Sequence, residues 1–292
     1  MNISGTTCLL GVIGNPVSHS LSPVMHNAAL AEMGLDVVYL PFPVQAEWLA
    51  VAIAGLAAVG VQGFNVTIPH KQQIMPLLAQ VSELAQAVGA VNTVWRSHQG
   101  WCGTNTDVEG FLAPLKLLKR DWSQTIALCL GYGGAARAVV SGCAALGCPQ
   151  IQVVGRNPQK LAAFQRSWQG STLVPALSVH PWDSLLELLP QAGLIINTTP
   201  IGMHPATDES PLTPSQMAQI SASAIAYDLI YVPNPTLWLA QMQQRGNLAI
   251  DGLEMLIQQG AAGLRLWTQQ DVPVETMRRA LQQHLGLAGK TP

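Results

Sequence analysis

Thr125-Ile126-Ala127-Leu128-Cys129-Leu130-Gly131-Tyr132-Gly133-Gly134 is an apolar run that ends in a glycine-rich turn. The run predicts a buried strand, the turn a sharp bend, and the alanine-rich sequence from Ala135 to Leu146 a helix. A further strand is predicted from Ile151 to Val154, so the segment reads as a βαβ unit. Where such a turn follows a strand and opens a helix, backbone N–H groups and the helix amino end stabilise a pyrophosphate. A tight turn without ligand is the alternative. The pattern departs from Gly-x-Gly-x-x-Gly, because Arg137 and Ala138 occupy the region where the last small residue would pack.

The next strand ends in Val153-Val154-Gly155-Arg156-Asn157, without the acid that accepts hydrogen bonds from the ribose diol of NAD. Arg156 instead offers a planar donor fork suited to a 2'-phosphate, with Lys160 one helical turn beyond. This favours NADP over NAD, against the plainer account of a solvated surface arginine. Asn197-Thr198-Thr199-Pro200-Ile201-Gly202-Met203 follows another predicted strand, Leu194 to Asn197. It suits a loop passing beside a dinucleotide at the carboxyl end of a parallel sheet, or else a proline turn. Ile225 to Leu229 is also predicted as a strand, whereas Gln169 to His180 carries no clear pattern.

Upstream, strand-like and helix-like segments alternate: Cys8 to Gly14, Pro23 to Met33, Val37 to Val44, Trp48 to Val59, Gly63 to Ile68 and Ile74 to Ala87. A strand from Ala90 to Arg96 and a helix from Val108 to Lys119 follow. Alternation of this kind predicts a mainly parallel sheet covered by helices. After Asp251-Gly252 the pattern is helical, Leu253 to Thr268 and Val274 to His284. These helices lack a strand of their own to cover, so they are expected to return to the first domain. The glycine-rich unit is then an insertion, and two links between domains create a hinged cleft.

The chain has 292 residues, 49% hydrophobic and 10% charged, with a formal net charge of -2. That suffices for two cored domains and leaves no basic footprint for nucleic acid, so small-molecule partners are favoured. The apolar stretch from Leu49 to Val61 is shorter than the ~20 residues of a membrane span and reads as a buried helix. No basic region precedes an apolar run at the amino terminus, which makes the cytoplasm the expected setting. The five cysteines form no Cys-x-x-Cys pair. Reduced buried thiols are expected, and no metal site.

Two polar patches interrupt the apolar sequence of the first domain: Phe64-Asn65-Val66-Thr67-Ile68-Pro69-His70-Lys71 and Gly103-Thr104-Asn105-Thr106-Asp107. They offer an amine, a carboxylate, hydroxyls and amides where strand-like runs end, which suits proton transfer on a polyhydroxylated substrate. Asp107 also fits a cap for the helix that follows, with Thr106 sharing that task. In Gly14-Asn15-Pro16-Val17-Ser18-His19-Ser20-Leu21-Ser22-Pro23, Ser22 is expected to cap a helix whose first residue is proline. Ser18 and Ser20 remain free to bind a carboxylate beside the helix amino end. Turn-forming serines without a ligand explain the same residues.

The serine segment, the two polar patches, Ala90-Val91-Asn92-Thr93, Gly131-Tyr132-Gly133-Gly134-Ala135, Tyr227-Asp228-Leu229-Ile230-Tyr231-x-Pro233 and Asp251-Gly252-Leu253 together resemble the shikimate dehydrogenase family. The resemblance runs in order through nearly the whole chain. It implies NADP-dependent interconversion of 3-dehydroshikimate and shikimate, with reduction of the ketone by NADPH. It implies an α/β fold of two domains with an interdomain cleft: a mainly parallel-sheet α/β/α substrate domain from residues 1–106 and 252–292, and a Rossmann-like NADP-binding domain from residues 107–251. By motif position, Ser18 and Ser20 would hold the substrate carboxylate with Tyr231 nearby. Thr67, Lys71, Asn92, Asp107 and Gln259 would surround the ring hydroxyls and the reacting carbonyl, with Lys71 and Asp107 catalytic. Gly131, Gly133, Gly134, Ala135, Arg156, Lys160, Thr198 and Gly252 would serve the cofactor. A monomer or homodimer is expected, without nucleic acid or membrane partners.

Two departures stand out. The family often carries Asn-Arg-Thr where this chain has Gly155-Arg156-Asn157, and His70 stands where phenylalanine is frequent, a ring expected to pack beside Lys71. A related dehydrogenase that accepts quinate or uses NAD, and a metabolite sensor that binds without turnover, are the competing functions.

Overall fold

The computed structural model describes residues 3–169, 174 and 176–287. The chain divides into two compact units, one holding the residues through Gly110 and those from Leu256 onward, the other Phe111–Met255. In the first unit β1 (Cys8–Gly14), α1 (Ser22–Glu32), β2 (Val37–Pro43), α2 (Leu49–Ala58) and β3 (Gly63–Val66) alternate. Then come β4 (Gln80–Val81), α3 (Glu83–Val88), β5 (Thr93–Ser97), β6 (Gly100–Thr104) and the first turn of α4 (Asp107–Lys116). The six strands lie in the order β2-β1-β3-β5-β6-β4. β1 runs parallel to β2 and β3, and β4 to β6, while β5 is antiparallel to both β3 and β6. The hairpin between β5 and β6 turns at Gly100, whose φ of 124° only glycine adopts without strain.

Every residue of β3 is buried, as a strand covered on both faces requires. Phe64 meets the Trp101 ring edge-on at 5.0 Å within a core that includes Ile13, Ile53, Val66 and Val94. β2 is an edge strand, and the Asn27 carboxamide on α1 satisfies its otherwise open backbone: Asn27 donates to Tyr39 O and accepts from Tyr39 N–H, both at 2.9 Å.

Three sequence expectations are corrected in this unit. Ile74 to Ala87 is not one helix: a 3-10 turn at Met75–Leu77 and β4 come first, because Pro76 removes a helical donor and Ser82 starts α3 by accepting from Ala85 N–H. α2 is buried on one face only, through Leu49, Ile53 and Leu56, whereas Val51 and Val59 are 63% and 66% exposed. Its apolar composition reflects alanines and a glycine facing outward, not a fully enclosed helix. Ser22 does not cap α1; the helix begins at Ser22 itself, and Leu21 holds the cap position without a side-chain bond.

The second unit contains β7 (Ile126–Leu130), α5 (Gly134–Ala145), β8 (Gln150–Gly155), α6 (Pro158–Arg166), β9 (Leu177–Pro181) and α7 (Leu185–Leu188). It continues with β10 (Leu194–Asn197), α8 (Pro214–Met217), β11 (Ile225–Asp228), α9 (Leu237–Gln244) and β12 (Leu248–Ile250). Residues 170–173 and 175, in the stretch without a clear sequence pattern, lie outside the described residues; β9 accounts for its end. All six strands are parallel in the order β12-β11-β10-β7-β8-β9. That is the doubly wound order in which the chain reverses direction across the sheet between β7 and β10, the position where such sheets bind nucleotides. Leu128, Leu130, Ile195, Ala226 and Trp238 fill the core beneath it.

The last helices, α10 (Leu253–Thr268) and α11 (Val274–His284), belong to the first unit from Leu256 onward. α10 is tied there by Trp267, whose indole N–H donates to Val94 O at 2.9 Å. α11 lies against α1, with Thr276 donating to the Glu32 carboxylate.

Candidate active site

In the first unit, backbone bonds at the ends of β3 and β5 draw the two polar patches together. Val91 N–H donates to Lys71 O at 2.8 Å, Val66 N–H to Asn92 O at 2.8 Å, and Asn92 N–H to Thr104 O at 3.1 Å. The Asn105 carboxamide donates to Ala90 O and accepts from Asp107 N–H, a turn that starts α4 at Asp107. Asp107 therefore stands in the first helical turn, and its carboxylate points back to the strand ends.

Lys71 Nζ lies 2.5 Å from Asp107 Oδ2, with side chains 16% and 8% exposed. Asn92 Nδ2 donates to the other carboxylate oxygen at 2.8 Å, and lies 3.3 Å from Gln259 Oε1 on α10. A buried ion pair is tolerated when hydrogen bonds satisfy its remaining lone pairs, as Asn92 does here. Lys71, Asn92, Asp107 and Gln259 thus form one cluster. An ammonium next to a carboxylate, both largely screened from water, can donate a proton to a developing alkoxide and be held in place while doing so.

Thr67 follows β3, with its methyl group over Gly14: a Cβ at Gly14 would come within 2.3 Å of it. Asn15 N–H donates to Ile68 O at 2.9 Å, which joins the serine loop to the Thr67 loop. Ser18 is exposed. Ser20 is not wholly free, because its Oγ accepts from Ser22 N–H at 3.3 Å; its hydroxyl proton is still available to an anion. His70 is fully buried and bonds through Nε2 to Val44 O at 2.7 Å, so the ring ties the lysine loop to the end of β2.

In the second unit Gly131 has a φ of 104°, and a Cβ there would lie 2.8 Å from Thr198 Oγ1. Thr198 donates to Leu130 O at 2.8 Å, which keeps its loop against the turn. Gly133 precedes α5, whose first residues are Gly134 and Ala135. This cradle of bare backbone at the start of a 12-residue helix, beside the reversal point of the sheet, fits a dinucleotide pyrophosphate. The third small residue of the fingerprint is present after all: Ala136, fully buried, completes Gly131-x-Gly133-x-x-Ala136, while Arg137 packs beneath Phe164 and Trp168.

Gly155 also has a local cause, since any Cβ would strike the Tyr132 ring at 2.2 Å. Asn157 caps α6 by accepting from Lys160 N–H, and Arg156 and Lys160 are exposed around that cap. Gly252 passes so close to β11 that a Cβ would lie 2.1 Å from Leu229 O. Tyr231, past the end of β11, is half-buried, and burial raises its phenol above the ordinary tyrosine range. Asp228 is fully buried and accepts from Asn197, Ile230 N–H and Thr236; burial outweighs these donors and pushes its carboxyl up to about 6. It holds together the loops after β10 and β11.

Thr93, Asn65 and Tyr39 join the cluster without a role predicted from the sequence. All three are buried and bonded behind Asn92. The available signal was the pair of asparagines, Asn65 and Asn92, at strand ends where apolar residues are usual.

Comparison with known proteins matches residues 12–94 to the shikimate dehydrogenase substrate binding domain and residues 252–282 to the shikimate 5'-dehydrogenase C-terminal domain. The chain is 62% identical over 287 residues to the shikimate dehydrogenase (NADP(+)) of Trichormus variabilis, covering 98% of this chain and 99% of that protein. A crystal structure of a shikimate dehydrogenase in complex with NADP+ superposes with a TM-score of 0.88 at 35% identity, covering 97% of this chain and 98% of the other. The shikimate 5-dehydrogenase of Listeria monocytogenes, solved with shikimate and NAD, gives 0.86 at 31% identity, covering 96% and 98%.

Proposed function

The chain belongs to the shikimate dehydrogenase family, and from that premise we propose that Lys71 and Asp107 carry the NADP-dependent interconversion of 3-dehydroshikimate and shikimate. The observation that supports the roles most strongly is the 2.5 Å contact between Lys71 Nζ and Asp107 Oδ2, in a cluster with Asn92 and Gln259. NADP, when bound, supplies or accepts the hydride. In reduction, the ketone oxygen gains negative charge as its carbon gains hydride, and Lys71 donates the proton that turns it into the hydroxyl. The neutral amine recovers a proton from solvent, and Asp107 orients the amine while accepting from a substrate hydroxyl. Oxidation of shikimate runs the same transfers in reverse.

Thr67, Asn92 and Gln259 surround the ring hydroxyls in this reading, and Ser18, Ser20 and Tyr231 receive the substrate carboxylate. Gly131, Gly133, Gly134, Ala135, Thr198 and Gly252 give the dinucleotide close approach to bare backbone, and Arg156 with Lys160 holds the 2'-phosphate. The second unit is accordingly the nucleotide domain and the first the substrate domain, in a cytoplasmic enzyme. Initial rates with shikimate and with quinate, each with NADP and with NAD, test the reading. The shikimate–NADP pair should turn over fastest. Faster quinate oxidation would assign a different substrate, and binding without turnover would make the chain a sensor.

A further inference from the structure

Behind Asp107 a chain of hydrogen bonds runs from Tyr39 to the Asn92 carboxamide, with Thr106 Oγ1 beside it, 3.0 Å from Asn92 Nδ2 and 3.2 Å from Asn92 Oδ1. Tyr39 donates to Asn65 Oδ1 at 2.7 Å, which turns the Asn65 amide N–H groups toward Thr93 Oγ1 at 3.1 Å and Asn92 O at 3.2 Å. Thr93 has a single hydroxyl proton; having accepted from Asn65, it donates to Asn92 Oδ1 at 3.0 Å. Its Oγ1 also lies 3.0 Å from Thr106 Oγ1. Thr106 N–H, which can only donate, reaches Asn92 Oδ1 at 2.7 Å. With its oxygen engaged from two sides, Asn92 has its amide nitrogen left to face Asp107.

Tyr39 and Thr93 are fully buried, and the Tyr39 ring is stacked on His26 at 4.1 Å. Phenylalanine and valine would fill the same spaces without a polar atom to desolvate, so packing does not account for the hydroxyls. We propose that Thr93 and Tyr39 are positioning residues for the Lys71–Asp107 pair: they lock the Asn92 carboxamide in the orientation that presents a donor to the Asp107 carboxylate. A flipped amide would set its oxygen against the carboxylate and release Asp107 from one of its two anchors. The proposal rests on the reading of Lys71 and Asp107 as the catalytic pair.

The test compares Thr93→Val, Thr93→Ser and Tyr39→Phe, the double variant Thr93→Val/Tyr39→Phe, and Lys71→Ala as reference, in shikimate oxidation by NADP. Thr93→Val is expected to lower kcat about tenfold, as misplacement of a reacting group does, with both KM values within about twofold and Thr93→Ser restoring the rate. Tyr39→Phe should lower kcat about threefold, and the double variant no further than Thr93→Val, because the chain is already broken. A kcat for Thr93→Val within about twofold of the parent, equal losses in Thr93→Val and Thr93→Ser, or additive losses in the double variant would each overturn the proposal. Should Thr93→Val not fold, Tyr39→Phe decides alone: a fall in kcat at constant KM supports the proposal, and an unchanged kcat overturns it. An unimpaired Lys71→Ala would instead overturn the underlying reading, so the two failures are distinct.

Discussion

At the scale of single residues, Arg156 tests how the chain selects its nucleotide. It is exposed after β8, where no carboxylate follows the strand in Gly155-Arg156-Asn157, and its guanidinium is free to form a bidentate contact with a phosphate. If Arg156 holds the 2'-phosphate as proposed, Arg156→Ala should raise the KM for NADP about tenfold while leaving that for NAD nearly unchanged, because only NADP carries that phosphate. Titrating both cofactors at saturating shikimate checks this, and equal effects on the two would contradict it. The segments that hold Lys71 and Asp107 are legible in the sequence, because amides, hydroxyls and charges cluster there in an otherwise apolar domain. The Tyr39, Asn65 and Thr93 chain is not, because each residue falls singly in a strand, on β2, β3 and β5, and only the pairing of those strands through β1 brings them into contact.

At the scale of elements, α1 carries a buried histidine with a measurable consequence. His26 stacks on Tyr39, with the Trp267 ring tilted against both, and bonds to Ser22 O, and burial pulls its imidazole down from 6.5 to about 4. Between those values the unfolded chain binds a proton that the folded chain does not. Stability from this group is therefore complete above pH 6.5 and falls as the pH drops toward 4, by about 3 kcal/mol in total. Urea unfolding of the parent and His26→Phe from pH 7 to pH 4 should show the parent losing that much more than the variant; parallel curves would contradict it.

Elements with one clear period, such as β1, α5 and α11, were legible to within a residue or two of their ends. The run from Ile74 to Ala87 was not, because its apolar residues suit a helix while Pro76 and the Ser82 cap divide it. β6 was also hidden: no strand is predicted over its five residues, which pair as one only against the antiparallel β5.

At the scale of the whole molecule there are two units, one with a mixed sheet that brings Lys71 to Asp107 and one with an all-parallel sheet that bares its backbone at Gly131. In the all-parallel unit the β7–α5–β8 segment was legible, because strand, glycine turn and helix lie next to each other in sequence, whereas β9 and the short β12 were not. The lysine and aspartate are 36 positions apart, and only the return of the chain through β5 and β6 makes them neighbours. The proposed chemistry depends on that pair. Its most direct test is the turnover of Lys71→Ala in shikimate oxidation by NADP, with shikimate affinity measured alongside. The expected result is a kcat lowered about a thousandfold with affinity changed far less, as the loss of a group that acts chiefly on the transition state requires. A kcat within a few-fold of the parent would contradict it.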